Sequence, residues 1–139
     1  MFSTRTMRPA DWAEITAFAP SEFNSPDAMG YEFMRWLNEL RTRAGVPIHL
    51  TSDYRSPERN AGAAGAKHSA HMELPCNAVD IGKRPTPDDP NWNRARFLIV
   101  STAMQMGCTR VGFYPGGSLH IDRSEDTHPS PRLWTAVVG

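Results

Sequence analysis

Apolar residues in this chain fall into two helical runs and several short alternating ones. Phe33, Leu37 and Leu40, with Trp36 beside them, recur at i, i+3, i+4 spacing, the stripe of an amphipathic helix. Ser25-Pro26-Asp27 reads as its start, with proline just inside the first turn, and Gly45 followed by Pro47 reads as its end. Upstream, Trp12, Ile15 and Phe18 are weakly periodic. A second helix is predicted over 91–106, where Phe97, Leu98, Ile99, Val100, Ala103 and Met104 leave few polar positions. Being apolar on most sides, it should be the central buried helix.

Short strands are predicted at 48–52, 78–81, 110–113, 118–122 and 133–138, with Gly82 closing the second and Tyr114-Pro115-Gly116-Gly117 turning between the third and fourth. In the 78–81 strand, Val79 and Ile81 should face the core and Asp80 the opposite side. Helices followed by hairpin-linked strands indicate an α+β fold, a small, mainly antiparallel sheet with flanking helices. The 139 residues fit one domain, 1–139, without internal repeats.

Composition narrows the function classes. Fifteen Lys plus Arg balance fifteen Asp plus Glu, so the long-range field that nucleic-acid or anionic-membrane binding relies on is missing. The longest apolar run, 97–100, is far too short to span a bilayer. Two cysteines make no disulfide framework, and the N-terminus lacks a signal-peptide apolar run. The expectation is a monomer made in the cytoplasm, binding neither nucleic acid nor membrane.

The chemical signal lies in the histidines. His68 and His71 precede the strand carrying Asp80, and in Ser118-Leu119-His120-Ile121-Asp122 the period of two projects His120 and Asp122 from one face. Two imidazoles and one carboxylate, with a fourth position left to water, make the ligand set of a catalytic zinc site, and His71, Asp80 and His120 supply it. A carboxylate between Val79 and Ile81 is costly unless it is paired, metal-bound or open to a cleft; a rim position at the strand end is the plainer alternative. Cys76 adjoins a His-bearing loop, but no Cys-His motif accompanies it.

The ordered motifs Thr51-Ser52-Asp53-Tyr54-Arg55-Ser56-Pro57-Glu58-Arg59-Asn60, Ser69-Ala70-His71, Ala78-Val79-Asp80-Ile81 and Leu119-His120-Ile121-Asp122 resemble the zinc D-Ala-D-Ala carboxypeptidases and related peptidoglycan endopeptidases. That group includes many phage endolysins and shares its fold with the hedgehog signalling domain. The resemblance spans roughly residues 21–134, with the core motifs within 48–134. It implies zinc held by His71, Asp80 and His120, with Arg55 as the anchor for a substrate carboxylate. Ser69-x-His71 fits the family motif, which favours His71 over His68.

Two features depart from the family pattern. Eight residues, Met72 to Val79, separate the first His from the Asp, two more than usual, and the family's glycine after the first His is absent. The carboxylate that many relatives carry three residues before the second zinc His is Gly117 here. A base must still collect the proton of the zinc-bound water. Asp122 is the nearest same-face candidate, either as that base or as the residue orienting His120; Glu73 and Glu125 are more remote substitutes. Arg55 could clamp a carboxylate or cap loop carbonyls, and Tyr54 and Ser69 could bind substrate or stabilise turns. The expected function is hydrolysis of peptidoglycan stem or cross-link peptides, at the wall after release from the cytoplasm by phage lysis or from a virion. The alternative is a non-catalytic binding module of the same fold.

Overall fold

The computed structural model describes residues 1–62, 68–82 and 91–135. Within these residues five strands form one sheet: β1 (His49–Ser52), β2 (Ala78–Gly82), β3 (Arg110–Phe113), β4 (Leu119–Asp122) and β5 (Arg132–Thr135). Their spatial order is β1-β2-β4-β3-β5, antiparallel at every pairing except the parallel β3–β5 edge. Among the described residues three α-helices accompany them: α1 (Tyr31–Ala44), α2 (Pro57–Gly62) and α3 (Trp92–Gln105). This is the α+β arrangement with a mainly antiparallel sheet that the sequence predicts. None of the described helices is long and apolar enough to cross a membrane.

Register sorts the side chains of the sheet into two chemically different faces. Val79, Ile121 and Val111 align across β2, β4 and β3, with Ile81 beside Leu119. All five are buried and join Phe33, Met34, Leu37 and Leu40 of α1 and Ile99 and Ala103 of α3 in one core. Since successive residues of a strand alternate faces, the opposite face carries Asp80, His120, Gly112 and Trp134 in one transverse row. The adjacent row holds Ala78, Asp122, Arg110 and Arg132.

Local chemistry explains where the elements start and stop. α1 ends at Gly45, whose φ of 68° is left-handed and whose N–H returns to the Arg41 carbonyl. It begins at Tyr31 and not at the predicted Ser25-Pro26-Asp27; Pro26–Ala28 is a separate 3₁₀ turn. Tertiary pairing overrides the local start signal: Cys76 N–H bonds to Ala28 O and Gly30 N–H to Cys76 O. Gly30 itself is extended and packed against Ser3 and Asn77, where a Cβ would collide. The preceding segment runs as short 3₁₀ turns at Pro9–Glu14 and Pro20–Glu22 and buries Ile15, Phe18 and Phe23.

The expectation of a central buried helix is met on one face of it alone. α3 buries Trp92, Ala95, Ile99 and Ala103 on one face, while Phe97 is 71% exposed and Met104 46%. The helix packs against α1 and the sheet, and a cylinder docked on one side cannot cover apolar residues placed all round it. β5 begins one residue before its predicted start; positions 136–138 of that expectation lie outside the described residues.

Candidate metal centre

Two loops and two strands bring the site together. After β1 the chain passes Asp53, Tyr54 and Arg55, and it later returns through a 3₁₀ turn at Ala70–Met72. His71 latches the two passages. Its Nδ1 donates to the Asp53 carbonyl at 2.7 Å, and its own carbonyl accepts from Arg55 N–H at 2.8 Å. Ser69 caps the turn, its hydroxyl oxygen accepting from His71 N–H at 3.2 Å. Ser69 therefore shapes the turn, and Tyr54 packs against the core.

With Nδ1 committed to a carbonyl, His71 presents Nε2 to the sheet. It lies 3.1 Å from Asp80 Oδ1 and 3.2 Å from His120 Nδ1, and those two atoms are 3.1 Å apart. The three donor atoms thus form a near-equilateral triangle. Tetrahedral ligands at zinc bond lengths of about 2.0–2.1 Å sit about 3.3 Å from one another, so the triangle has the size such an ion requires. Among the described residues this trio is the one His/Cys/Asp/Glu group that could hold a metal ion.

Asp122 lies behind the triangle. Its Oδ2 is 2.6 Å from His120 Nε2, on the side of the imidazole away from Nδ1. Its Oδ1 accepts from Arg110 Nε at 2.8 Å and from Ser124 N–H at 3.0 Å. The carboxylate is 0% exposed and Arg110 is 6% exposed, so both carboxylate oxygens are taken by protein donors inside the structure.

The electrostatics follow these contacts. Burial opposes ionisation of Asp80, but hydrogen bonds from His120 and His71 outweigh it and hold the carboxyl well below its usual range. Asp122 is likewise lowered: burial is outweighed by His120, the Ser124 amide and Arg110. For His120 burial disfavours the imidazolium, yet Asp122 and Asp80 together raise its pKa. Burial pushes the Cys76 thiol up to about 12, so this fully buried cysteine is a protonated core residue and not a nucleophile.

A cleft of about 290 Å³ reaches the trio at Asp80, and its other lining residues are Thr51, Arg55, Tyr114, Pro115 and Ser118. Arg55 Nε has no hydrogen-bond partner among the described residues. Tyr114 donates its phenol to Asp80 Oδ1 at 3.2 Å; burial first, and the neighbouring Asp80 charge next, raise its pKa and keep it a donor. Sequence reasoning missed Tyr114 by treating it as a turn residue. It missed Arg110 because its pairing with Asp122 depends on strand register.

The remaining candidates sit apart. Glu73 lies 3.6 Å from His128 Nδ1, Glu125 is paired with Arg123 at 2.6 Å, and the carbonyl of exposed His68 accepts from His128 Nε2. Gly117 occupies the tight β3–β4 turn with a φ of 94°, a backbone region that a carboxylate-bearing residue rarely adopts.

A search among curated proteins finds no match to the chain. The profile of the Peptidase M15 family matches residues 10–122, a span that holds His71, Asp80, His120 and every strand but β5, and the chain belongs to that family.

Proposed function

We propose that the protein is a zinc-dependent peptidase that hydrolyses an amide bond in the stem or cross-link peptides of bacterial peptidoglycan. The observation carrying this reading is the triangle of His71 Nε2, Asp80 Oδ1 and His120 Nδ1 beside a cleft that also holds Arg55. Membership in a metallopeptidase family supports it. Zinc bound there would supply an activated water and polarise the scissile carbonyl.

The chain's own residues do the rest. Arg55, held by its amide to His71 O and with its Nε unpartnered among the described residues, anchors a substrate carboxylate through the planar guanidinium. Tyr114 presents a phenol O–H on the same side, placed to donate to a substrate oxygen lying beside Asp80. Asp122 accepts from His120 Nε2, which fixes the tautomer with the Nδ1 lone pair facing the trio. That role fits its buried, doubly engaged carboxylate better than collection of a proton from the cleft. Ser69 holds the His71 turn, and Tyr54 packs against the core.

The protein acts as a monomer on the cell wall after release from the cytoplasm, in phage lysis or from a virion, with no nucleic-acid or membrane partner. A second reading, a non-catalytic wall-binding module, is favoured by one observation: Gly117 stands where many relatives carry the general base. Zinc-loaded protein incubated with synthetic stem peptides, bearing either a free or an amidated terminal carboxylate, separates the two. Cleavage with preference for the free carboxylate is expected. Binding of the peptides without cleavage would establish the second reading instead.

A further inference from the structure

Gly112 sits in the middle of β3, where a strand interior loses packing for want of a side chain. Its reason lies on the neighbouring strand. A Cβ at position 112 would come within 2.6 Å of Trp134 Cε2 and 2.7 Å of Nε1, so the indole lies flat across the glycine. Parallel pairing of β5 with β3 sets Trp134 opposite Gly112, and Gly112 pairs in turn with His120 of β4. Spanning the notch, the indole reaches the imidazole: the ring centroids are 5.2 Å apart at an interplanar angle of 50°.

The contact completes the support of His120. The hydrogen bond from Nε2 to Asp122 fixes the direction of the ring but leaves it free to pivot about that axis. Pivoting would swing Nδ1 away from His71 and Asp80. His71 meets one side of the ring edge-on, at 5.0 Å between centroids and 73°. Trp134 provides a second wall. The same indole lies 5.0 Å from the Arg110 guanidinium carbon, so it also covers the Arg110–Asp122 pair from water and preserves the low dielectric in which that pair orients His120.

The geometry points to Trp134 as a positioning residue of the metal centre, its indole seated across Gly112 to hold His120 Nδ1 on the ion. This rests on the reading of His71, Asp80 and His120 as metal ligands and extends the site to the edge strand β5. Loss of an outer partner of a metal-bound histidine weakens affinity by roughly 10- to 100-fold. An aromatic pivot stop without a hydrogen bond belongs near the lower figure.

The experiment is a chelator competition for zinc with wild type, Trp134→Leu, Trp134→Phe and Gly112→Ala, with the melting temperature of each metal-free protein measured in parallel. Trp134→Leu and Gly112→Ala should each bind zinc about tenfold more weakly, while Trp134→Phe, which keeps a flat ring, stays within about threefold of wild type. If Trp134→Leu does not fold, Gly112→Ala, which displaces the indole without removing it, decides against Trp134→Phe. Wild-type affinity in Gly112→Ala or in folded Trp134→Leu overturns the positioning role and leaves the metal site standing. Failure of wild type itself to bind zinc overturns the metal reading, and the role of Trp134 with it.

Discussion

Asp122 Oδ2 lies 2.6 Å from His120 Nε2 on the side of the ring opposite His71 and Asp80, while Oδ1 is held by Arg110. On the reading proposed above, a carboxylate so placed acts through the histidine. Asp122→Ala should weaken zinc affinity about 10- to 100-fold by releasing the ring. It should also cost about 3–5 kcal/mol of stability, because Arg110 stays buried without its counter-charge. A chelator competition and a denaturant titration check both effects. Unchanged zinc affinity combined with lost hydrolysis would return Asp122 to the role of base.

Arg55 is expected to act on substrate and not on the metal. Charge-assisted hydrogen bonds contribute roughly 1.5–3 kcal/mol, so Arg55→Ala should lower kcat/KM by about 10- to 150-fold on peptides with a free carboxylate. Zinc affinity should stay unchanged. Arg55→Lys should recover only part of the loss, since an ammonium cannot make two parallel bonds. Steady-state kinetics on free and amidated peptides provide the comparison.

Much of this centre is legible in the sequence because it is written in strand periodicity. Asp80 between Val79 and Ile81, and His120 between Leu119 and Ile121, could be assigned to the face opposite the core from the period of two alone. Their meeting across β2 and β4, and the pairing of Arg110 with Asp122, depend on inter-strand register, which no local pattern encodes. The start of α1 was misread for a related reason. Pro26 is a valid local signal, but pairing of residues 28–30 with Cys76 takes those residues out of the helix. Tyr114 belongs to a turn whose chemistry becomes visible only when Asp80 is opposite it.

The N-terminal segment carries a pH-sensitive contact remote from the site. Arg5 Nη1 and Nη2 lie 2.6 and 3.0 Å from the two Asp11 oxygens, and the Arg8 amide donates to Asp11 as well. The Arg5 hydrogen bond, followed by that of Arg8, lowers the Asp11 pKa to about 2 from 3.8. A depressed carboxylate contributes stability that is present above the unfolded pKa and lost as pH falls through the folded one. The melting temperature of wild type should therefore exceed that of Asp11→Asn above pH 4, with the gap closing between about pH 4 and pH 2. A gap independent of pH would show that the ion pair is not its source.

The two faces of the helical layer should respond very differently to truncation. Ile99→Ala removes a fully buried side chain on the inner face of α3 and should cost about 2–5 kcal/mol. Phe97→Ala, on the outer face of α3, should change stability by no more than about 0.5 kcal/mol. Chemical denaturation of both variants tests the one-sided docking of α3.

The central claim is that His71, Asp80 and His120 hold a metal ion that makes this chain a hydrolase. The most direct measurement counts new amino groups released from purified peptidoglycan by protein stripped with chelator, by the same protein reloaded with stoichiometric zinc, and by His120→Ala treated identically. Release by the reloaded wild type alone is the predicted result. Release that persists in the stripped protein, or none from wild type with zinc demonstrably bound, would contradict it.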